Sequence, residues 1–239
     1  MSEISILIPS FKEYENLKFL LPQIYNSIKK NFTSHKLNVI VVDSIDYDVK
    51  TKSLCDKYGF IYINREKTDN FGDAIRTGIE YVNKNFSNTK WLIIMDSDGS
   101  HDSNIFFEFS KLINLNKFDL VIASRYIRGG STENNLILKF LSLVVNLIYR
   151  KYFNLNIKDV SNNFRLYRFS LLKDIALVEE NFEVVEEILI KLLKNNPNLR
   201  IREIPSKFLN RKYGKSKRNL FRFSITYFKS ILRLRRYIK

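Results

Sequence analysis

Five short apolar runs, "ISILIP" (4–9), "LNVIVVD" (37–43), "FIYIN" (60–64), "WLIIMD" (91–96) and "FDLVIASR" (118–125), constrain this chain more than any other feature. Each is rich in β-branched or aromatic residues with almost no polar alternation, as in strands covered on both faces. Between them lie stretches whose apolar residues recur at helical spacing, at about 13–30, 49–58, 71–86 and 104–115. Strands alternating with helices predict an α/β fold with a mostly parallel central sheet and helices on both faces. At 239 residues and 45% hydrophobic, the chain can bury a sizeable core in one large domain. No internal repeat is visible.

The second part reads differently. An apolar helix at about 134–152 leads to "DVSNNFRLYRFSLLKDI", a helix at 183–194, a strand at 201–205 and a final helix at about 220–237. The net charge is +15, and from Arg200 onward Glu203 is the only acidic residue. Such a basic end seeks phosphates on a membrane, a nucleic acid or an anionic substrate. On the last helix Phe221, Ile225, Phe228 and Leu232 form an apolar stripe beside Arg222, Lys229, Arg233 and Arg236, the pattern of an interfacial helix. We therefore expect a domain over 1–218 and a basic amphipathic, membrane-associated helix over 219–239. The single Cys55 excludes an internal disulfide framework and fits a reducing, intracellular setting. No signal-peptide layout and no spanning segment are read.

Ligands gather at the carboxyl ends of parallel strands, so Pro9, Asp43, Asp96, Asp98 and Arg125 should converge on one cleft. The segment "DSDGSH" (96–101) puts two carboxylates there, one serine apart. A calcium loop is excluded. Its glycine position holds His101, the place of its bidentate glutamate holds Phe107, and a strand precedes it. Helix capping is a plainer role, but Asp102 and Ser103 sit closer to the next helix. A metal–diphosphate site is the sharper one: carboxylates take one or two positions of Mg2+ or Mn2+, and phosphates and water fill the rest. The segment alone leaves both open.

The ordered set "SILIPSFKEYENL", "VIVVDSID", "FGDAIRTGIEY", "MDSDGSH" and "LVIASRY" resembles the family 2 glycosyltransferases of the GT-A fold. "DVSNNFRLY" is similar to that family's D-x-T/S-x-G-F-R segment, with Asp159, Phe164 and Arg165 in place. "EEILIKLL", "REIPSKF" and "RKYGKSK" look like the closing elements of dolichyl-phosphate mannosyltransferases and bacterial polyprenyl-phosphate relatives. In the last of these, Arg211, Gly214, Ser216 and Lys217 form an R-x-x-G-x-S-K string.

The resemblance implies that Pro9, Phe11 and Glu13 border the base and ribose, and that Asp43 accepts a hydrogen bond from one of them. Val41 and Ser97 would join the nucleotide-sugar contacts. Asp96, Asp98 and Ser100 would hold Mg2+ or Mn2+. Arg125 and Lys139 fall where the family places cations near phosphates, and Arg211 and Lys217 would close over the diphosphate or lipid phosphate. Asp98 and these four cations form the implied catalytic set. His101 would orient the loop, and Cys55 would only pack. Some positions depart from the pattern: Ser44 and Ile45 replace the usual D-G of D-D-G-S, and Asn163 stands where Gly is usual, a residue that tolerates left-handed backbone.

The implied activity is an inverting, metal-dependent transfer of a hexose, mannose or glucose, from a GDP- or UDP-sugar to a polyprenyl or dolichyl phosphate. The expected place is the cytoplasmic face of a membrane, with the basic tail or an anchoring partner subunit as attachment. A lipid phosphate is already ionised and needs no general base. A family member acting on a sugar hydroxyl in capsule or glycan synthesis would need one, and Asp102 and Glu187 are the candidates. An alternative of another class is a nucleic-acid- or membrane-binding protein without catalysis. Nucleic acid is not the expected partner, because the acidic pair would repel a polyanion unless metal were bound. A catalytically inactive relative is a third reading, motivated by Ser44 and Ile45.

Overall fold

The computed structural model describes residues 2–214 and 220–238. The first half runs β1 (Glu3–Pro9), α1 (Tyr14–Asn31), β2 (Lys36–Asp43), α2 (Val49–Lys57), β3 (Ile61–Asn64), α3 (Phe71–Asn85), β4 (Thr89–Ile94), α4 (Ile105–Leu115), β5 (Leu120–Ser124). These elements match the apolar runs and the helical spacing between them. After β5 come β6 (Ser131–Thr132), α5 (Leu136–Tyr152), β7 (Arg165–Arg168), α6 (Phe169–Leu172), α7 (Val184–Asn195), β8 (Ile201–Pro205), β9 (Lys207–Phe208) and α8 (Leu220–Ile238).

The main sheet has the order β3-β2-β1-β4-β7-β5-β8. Its pairings are parallel except those of β7, which lies antiparallel between β4 and β5. β1 is central and buried along its whole length. Its side chains alternate: Ile4, Ile6 and Ile8 enter one core with α1 and α4, while Leu7 enters the other with α3 and α7. Fully burying each such side chain stabilises the fold by about 1.5–3 kcal/mol.

Two features of this frame position the site. The parallel strands put the carboxyl ends of β1, β2 and β4 on one edge, and antiparallel β7 brings its amino end, with the residues just before it, to that same edge. Gly72 in the first turn of α3 donates its N–H to Glu180 O at 2.7 Å. A Cβ there would collide with the 179–180 backbone, so only glycine lets α3 meet that loop.

The final helix packs against the domain. Its core-facing residues are Tyr227, Ser230, Ile231 and Leu234, whereas Phe228 and Leu232 of the expected apolar stripe face solvent. Arg233 and Arg236 are exposed, Arg233 with an ion pair to Glu179 at 3.5 Å. The side chains of Phe221, Arg222 and Ile225 lie outside the described residues. Helix α8 is thus docked on the domain core by a third face, with Phe228, Lys229, Leu232, Arg233 and Arg236 outward.

Candidate active site

A cleft of about 760 Å³ opens at the carboxyl edge of the sheet, within the range of cofactor and substrate sites. Of the residues singled out in the sequence, Pro9, Phe11, Glu13, Asp96, Ser97 and Asp98 line it, and so do Ser100, Arg125 and Arg211. Val41 belongs instead to the hydrophobic core, and Lys139 is exposed on α5 and does not line the cleft. Lys217 and Ser216 lie outside the described residues.

The acidic shelf is built by the turn after β4. Gly99 takes a left-handed φ of 76°, which folds the loop back on itself. Asp98 Oδ1 accepts hydrogen bonds from the Ser100 N–H at 3.0 Å and the Ser100 hydroxyl at 2.6 Å. His101 Nδ1 accepts the Asp96 N–H at 3.1 Å, and its ring stacks on Phe164 at 4.8 Å, so His101 does orient the loop. Helix α4 is served by Asp102, whose carboxylate accepts the Asn104 N–H at 2.9 Å. The pair at 96 and 98 is therefore left free of capping work.

Arg211 reaches the shelf because the segment after β9 is laced to it. Leu209 donates its N–H to Ser100 O at 2.8 Å, and β9 pairs with β6 next to it. The Arg211 guanidinium then lies 3.1 Å from Glu13 Oε1 and 3.5 Å from Asp98 Oδ2. A cation thus bridges the acid at the start of α1 and the shelf.

Two carboxylates are too few for a protein-only cage, and among the described residues no group of three or more His, Cys, Asp or Glu could hold a metal. Such a pair fits Mg2+, or Mn2+ with its similar oxygen ligands, both of which leave positions for substrate phosphates and water. Asp96 and Asp98 would be the ligands. Ser100 is buried and turned onto Asp98, so it orients a ligand rather than presenting a free one.

Arg125 sits differently from the expectation of a free phosphate-binding cation. It is buried, and its guanidinium makes a bidentate pair with Asp159, Nε–Oδ2 at 2.8 Å and Nη2–Oδ1 at 2.7 Å. Burial opposes its charge, and the attraction and hydrogen bonds of Asp159 outweigh that, so its pKa lies above the ordinary arginine value. Its structural effect is to pin the 159–161 segment to the end of β5, with Ser161 Oγ accepting a further bond at 2.8 Å.

Asp43 is fully buried and does not line the cleft; its Oδ1 accepts the backbone N–H of Lys12 at 3.0 Å. Lys12 pays for that contact with a left-handed φ of 54°, a strained setting of the kind that marks functional turns. The departures at Ser44 and Ile45 are accommodated. Ile45 donates its N–H to Asp69 at 2.8 Å, and Asp46 pairs with Lys12 at 2.8 Å.

Both candidate general bases have structural duties. Asp102 caps α4. Glu187 is buried and accepts the N–H groups of Val178 and Glu179 and the Lys191 ammonium, the last at 2.6 Å. Cys55 is buried in the core, and burial pushes its thiol up to about 12.

Sequence reasoning missed two features. Arg65 lines the cleft nearly buried, donating to Ser10 O and, at 3.0 Å, to Asn70 O, with burial pulling its pKa down. Its position directly after the third apolar run could have drawn notice. The other is the surface beside the cleft. Leu138, Leu141 and Val145 of α5 face the cleft, yet the opposite face exposes Leu136 (83%), Ile137 (65%) and Phe140 (65%), followed by Leu147 and Ile148. Helix α8 lies alongside, with Tyr227 6.2 Å from Tyr149 and Arg235 5.6 Å from the Tyr152 ring. An exposed apolar face of this extent belongs against a partner. Lys139, Lys151, Lys229 and Arg236 are exposed on the same two helices. Among the described residues, no helix is long and apolar enough to cross a membrane.

The sheet order, one antiparallel strand set among parallel ones, is that of a GT-A-type α/β fold. Residues 5–176 match the profile of glycosyl transferase family 2, and the chain belongs to that family. It is 28% identical to a dolichol-phosphate mannosyltransferase of Pyrococcus furiosus over 90% of this chain and 59% of that protein. It thus spans well under two thirds of that relative's length. It is 26% identical to a polyprenol monophosphomannose synthase of Mycolicibacterium smegmatis, over 89% of this chain and 79% of the other. An undecaprenyl-phosphate mannosyltransferase of Micrococcus luteus is also 26% identical, over 88% and 85%. In fold, the chain resembles glucosyl-3-phosphoglycerate synthase from Mycobacterium tuberculosis in complex with Mn2+, uridine diphosphate and phosphoglyceric acid. The TM-score is 0.68 at 14% identity, covering 96% of this chain and 76% of that one.

Proposed function

We propose that this chain transfers a hexose, mannose first among the candidates, from a GDP- or UDP-sugar to a polyprenyl phosphate, with inversion, at a membrane surface. The observation that carries this reading is one cleft joining a carboxylate pair and Arg211 to apolar walls from α5, which open beside an exposed apolar and basic surface. The names of the three polyprenyl-phosphate relatives support it. Bound at Asp96 and Asp98, Mg2+ or Mn2+ would neutralise charge on the leaving diphosphate. Arg211, held between Glu13 and Asp98, would set a positive charge beside that diphosphate. An ionised lipid phosphate requires no proton removal. The structural duties of Asp102 and Glu187 therefore favour it over a hydroxyl acceptor.

Attachment runs through the outward faces of α5 and α8, with the lysines and arginines meeting lipid phosphates; an anchoring partner subunit would add to it. The cytoplasmic side is the expected one. The test incubates purified protein with Mg2+ or Mn2+, a panel of nucleotide hexoses and either polyprenyl phosphate or the unphosphorylated polyprenol. Mass spectrometry should find a hexosyl phospholipid from the phosphate alone. Transfer to polyprenol or to an oligosaccharide, with none to the phosphate, would overturn the reading.

A further inference from the structure

Asn163 is the one departure in the F-R segment, and its backbone gives no reason for it. Among the described residues, the non-glycine positions with positive φ are Lys12, Asn116 and Asn154, so Asn163 does not stand in for a left-handed glycine. Its side chain is what matters. Asn163 lines the cleft while nearly buried, and its Nδ2 donates to Asp96 Oδ1 at 3.0 Å. A carboxylate only accepts, which fixes the amide: the NH2 faces Asp96 and the carbonyl oxygen points away. That carbonyl oxygen, Oδ1, is buried and has no partner, a costly state unless a ligand supplies a donor.

The segment around it cannot relax to relieve the orphan. Asp159 is clamped by Arg125, Val160 donates its N–H to Asn146 Oδ1 at 2.6 Å, and Asn162 donates to Ala123 O. Phe164 O accepts the Ala123 N–H at 3.0 Å. Asn163 is thus held in place on the shelf with an acceptor waiting.

We propose that Asn163 is a donor-selecting residue, its Oδ1 accepting a hydrogen bond from one hydroxyl of the hexose while Asp96 holds the amide in register. The proposal rests on the nucleotide-sugar reading above. Phosphate oxygens are excluded as partners because they too are acceptors. Hydroxyls of the hexose or the ribose and a water remain as O–H donors, and the assignment is to the hexose. A site built to bond a hydroxyl discriminates strongly against a ligand lacking it.

The test compares kcat/KM for the accepted nucleotide hexose and its monodeoxy analogues in wild type, Asn163→Ala and Asn163→Gly, the last restoring the residue usual in the segment. Wild type should disfavour one deoxy analogue by roughly 10-fold or more beyond the others. Both variants should lose that single preference and keep the rest, with melting temperatures confirming folded protein. Mn2+ affinity, read by electron paramagnetic resonance with the nucleoside diphosphate present, should fall alike in both variants because Asn163 also supports Asp96, a loss that cancels in the ratio between donors. An equal loss for every donor would overturn the assignment in favour of a structural or metal-water role. Transfer with unaltered discrimination overturns the role of Asn163 alone. No transfer and no binding of any nucleotide sugar would overturn the donor reading and this assignment with it.

Discussion

Glu186 on α7 offers a stability prediction whose sign and size follow from burial. It is fully buried, with the Tyr227 hydroxyl at 3.2 and 3.3 Å from its two oxygens. Burial pushes its pKa up from 4.5 to about 8, against the opposing attraction of Arg165 and with some repulsion from Glu183. Above pH 4.5 the unfolded chain releases this proton while the folded chain keeps it, up to about 8. Stability therefore falls with rising pH across that window, by about 1.4 kcal/mol for each pH unit in the limit of one fully shifted group. Glu186→Gln keeps the volume and the hydrogen bond to Tyr227 and carries no charge. Its stability relative to wild type should change little at pH 5 and rise by on the order of 3 kcal/mol at pH 8, after allowance for relaxation around the buried charge. Urea denaturation at pH 5, 6, 7 and 8 measures this. Glu179, also raised by burial, is common to both proteins and drops out of the difference. Parallel stability curves for the two proteins would refute the reasoning.

Asp98→Asn should weaken Mn2+ binding in the presence of nucleoside diphosphate and lower transfer roughly 100-fold or more, since one of two hard ligands loses its charge; calorimetry and the lipid assay read both effects. Asp159→Asn strips the partner from buried Arg125 and should cost about 3–5 kcal/mol in urea denaturation, whereas replacing both residues with apolar ones should cost less. The double variant Leu136→Glu, Phe140→Glu alters exposed positions, so stability should stay within about 0.5 kcal/mol. Its flotation with anionic vesicles should fall sharply, and unchanged flotation would remove the α5 surface from the reading.

The βα alternation was legible because parallel strands buried on both faces leave unbroken apolar runs. Strand β7 was not legible: "RLYR" is four residues with arginines at both ends, too short for a period to show. Its fully buried Arg165 is satisfied by the carbonyl oxygens of Asn162 and Val185, at 2.8 and 3.0 Å, and that of Val160, none of which a sequence displays. The shelf residues Asp96 and Asp98 were found because they end a strand. Arg125 ends a strand too, but nothing in its own neighbourhood reveals that Asp159, far along the chain, claims its charge. The last helix reads as an interfacial helix from its stripe, and the face that docks it on the core, Tyr227, Ser230, Ile231 and Leu234, mixes polar and apolar residues and so did not stand out. Asn163 stood out as a departure, and only the three-dimensional neighbour Asp96 gave its side chain a purpose.

The antiparallel strand has a consequence for assembly. β4 and β5 are successive in the chain, yet they lie two strand spacings apart, about 10 Å, until residues 165–168 slot between them. Strand β1 already pairs with the distant β4, and the sheet closes only after β7 makes a second long-range return, the kind of step that slows folding. The same return carries Asp159 to Arg125 and Asn163 to Asp96. A chain caught before that moment holds an open sheet and an unfinished cleft, so closing the sheet and completing the candidate site are one step.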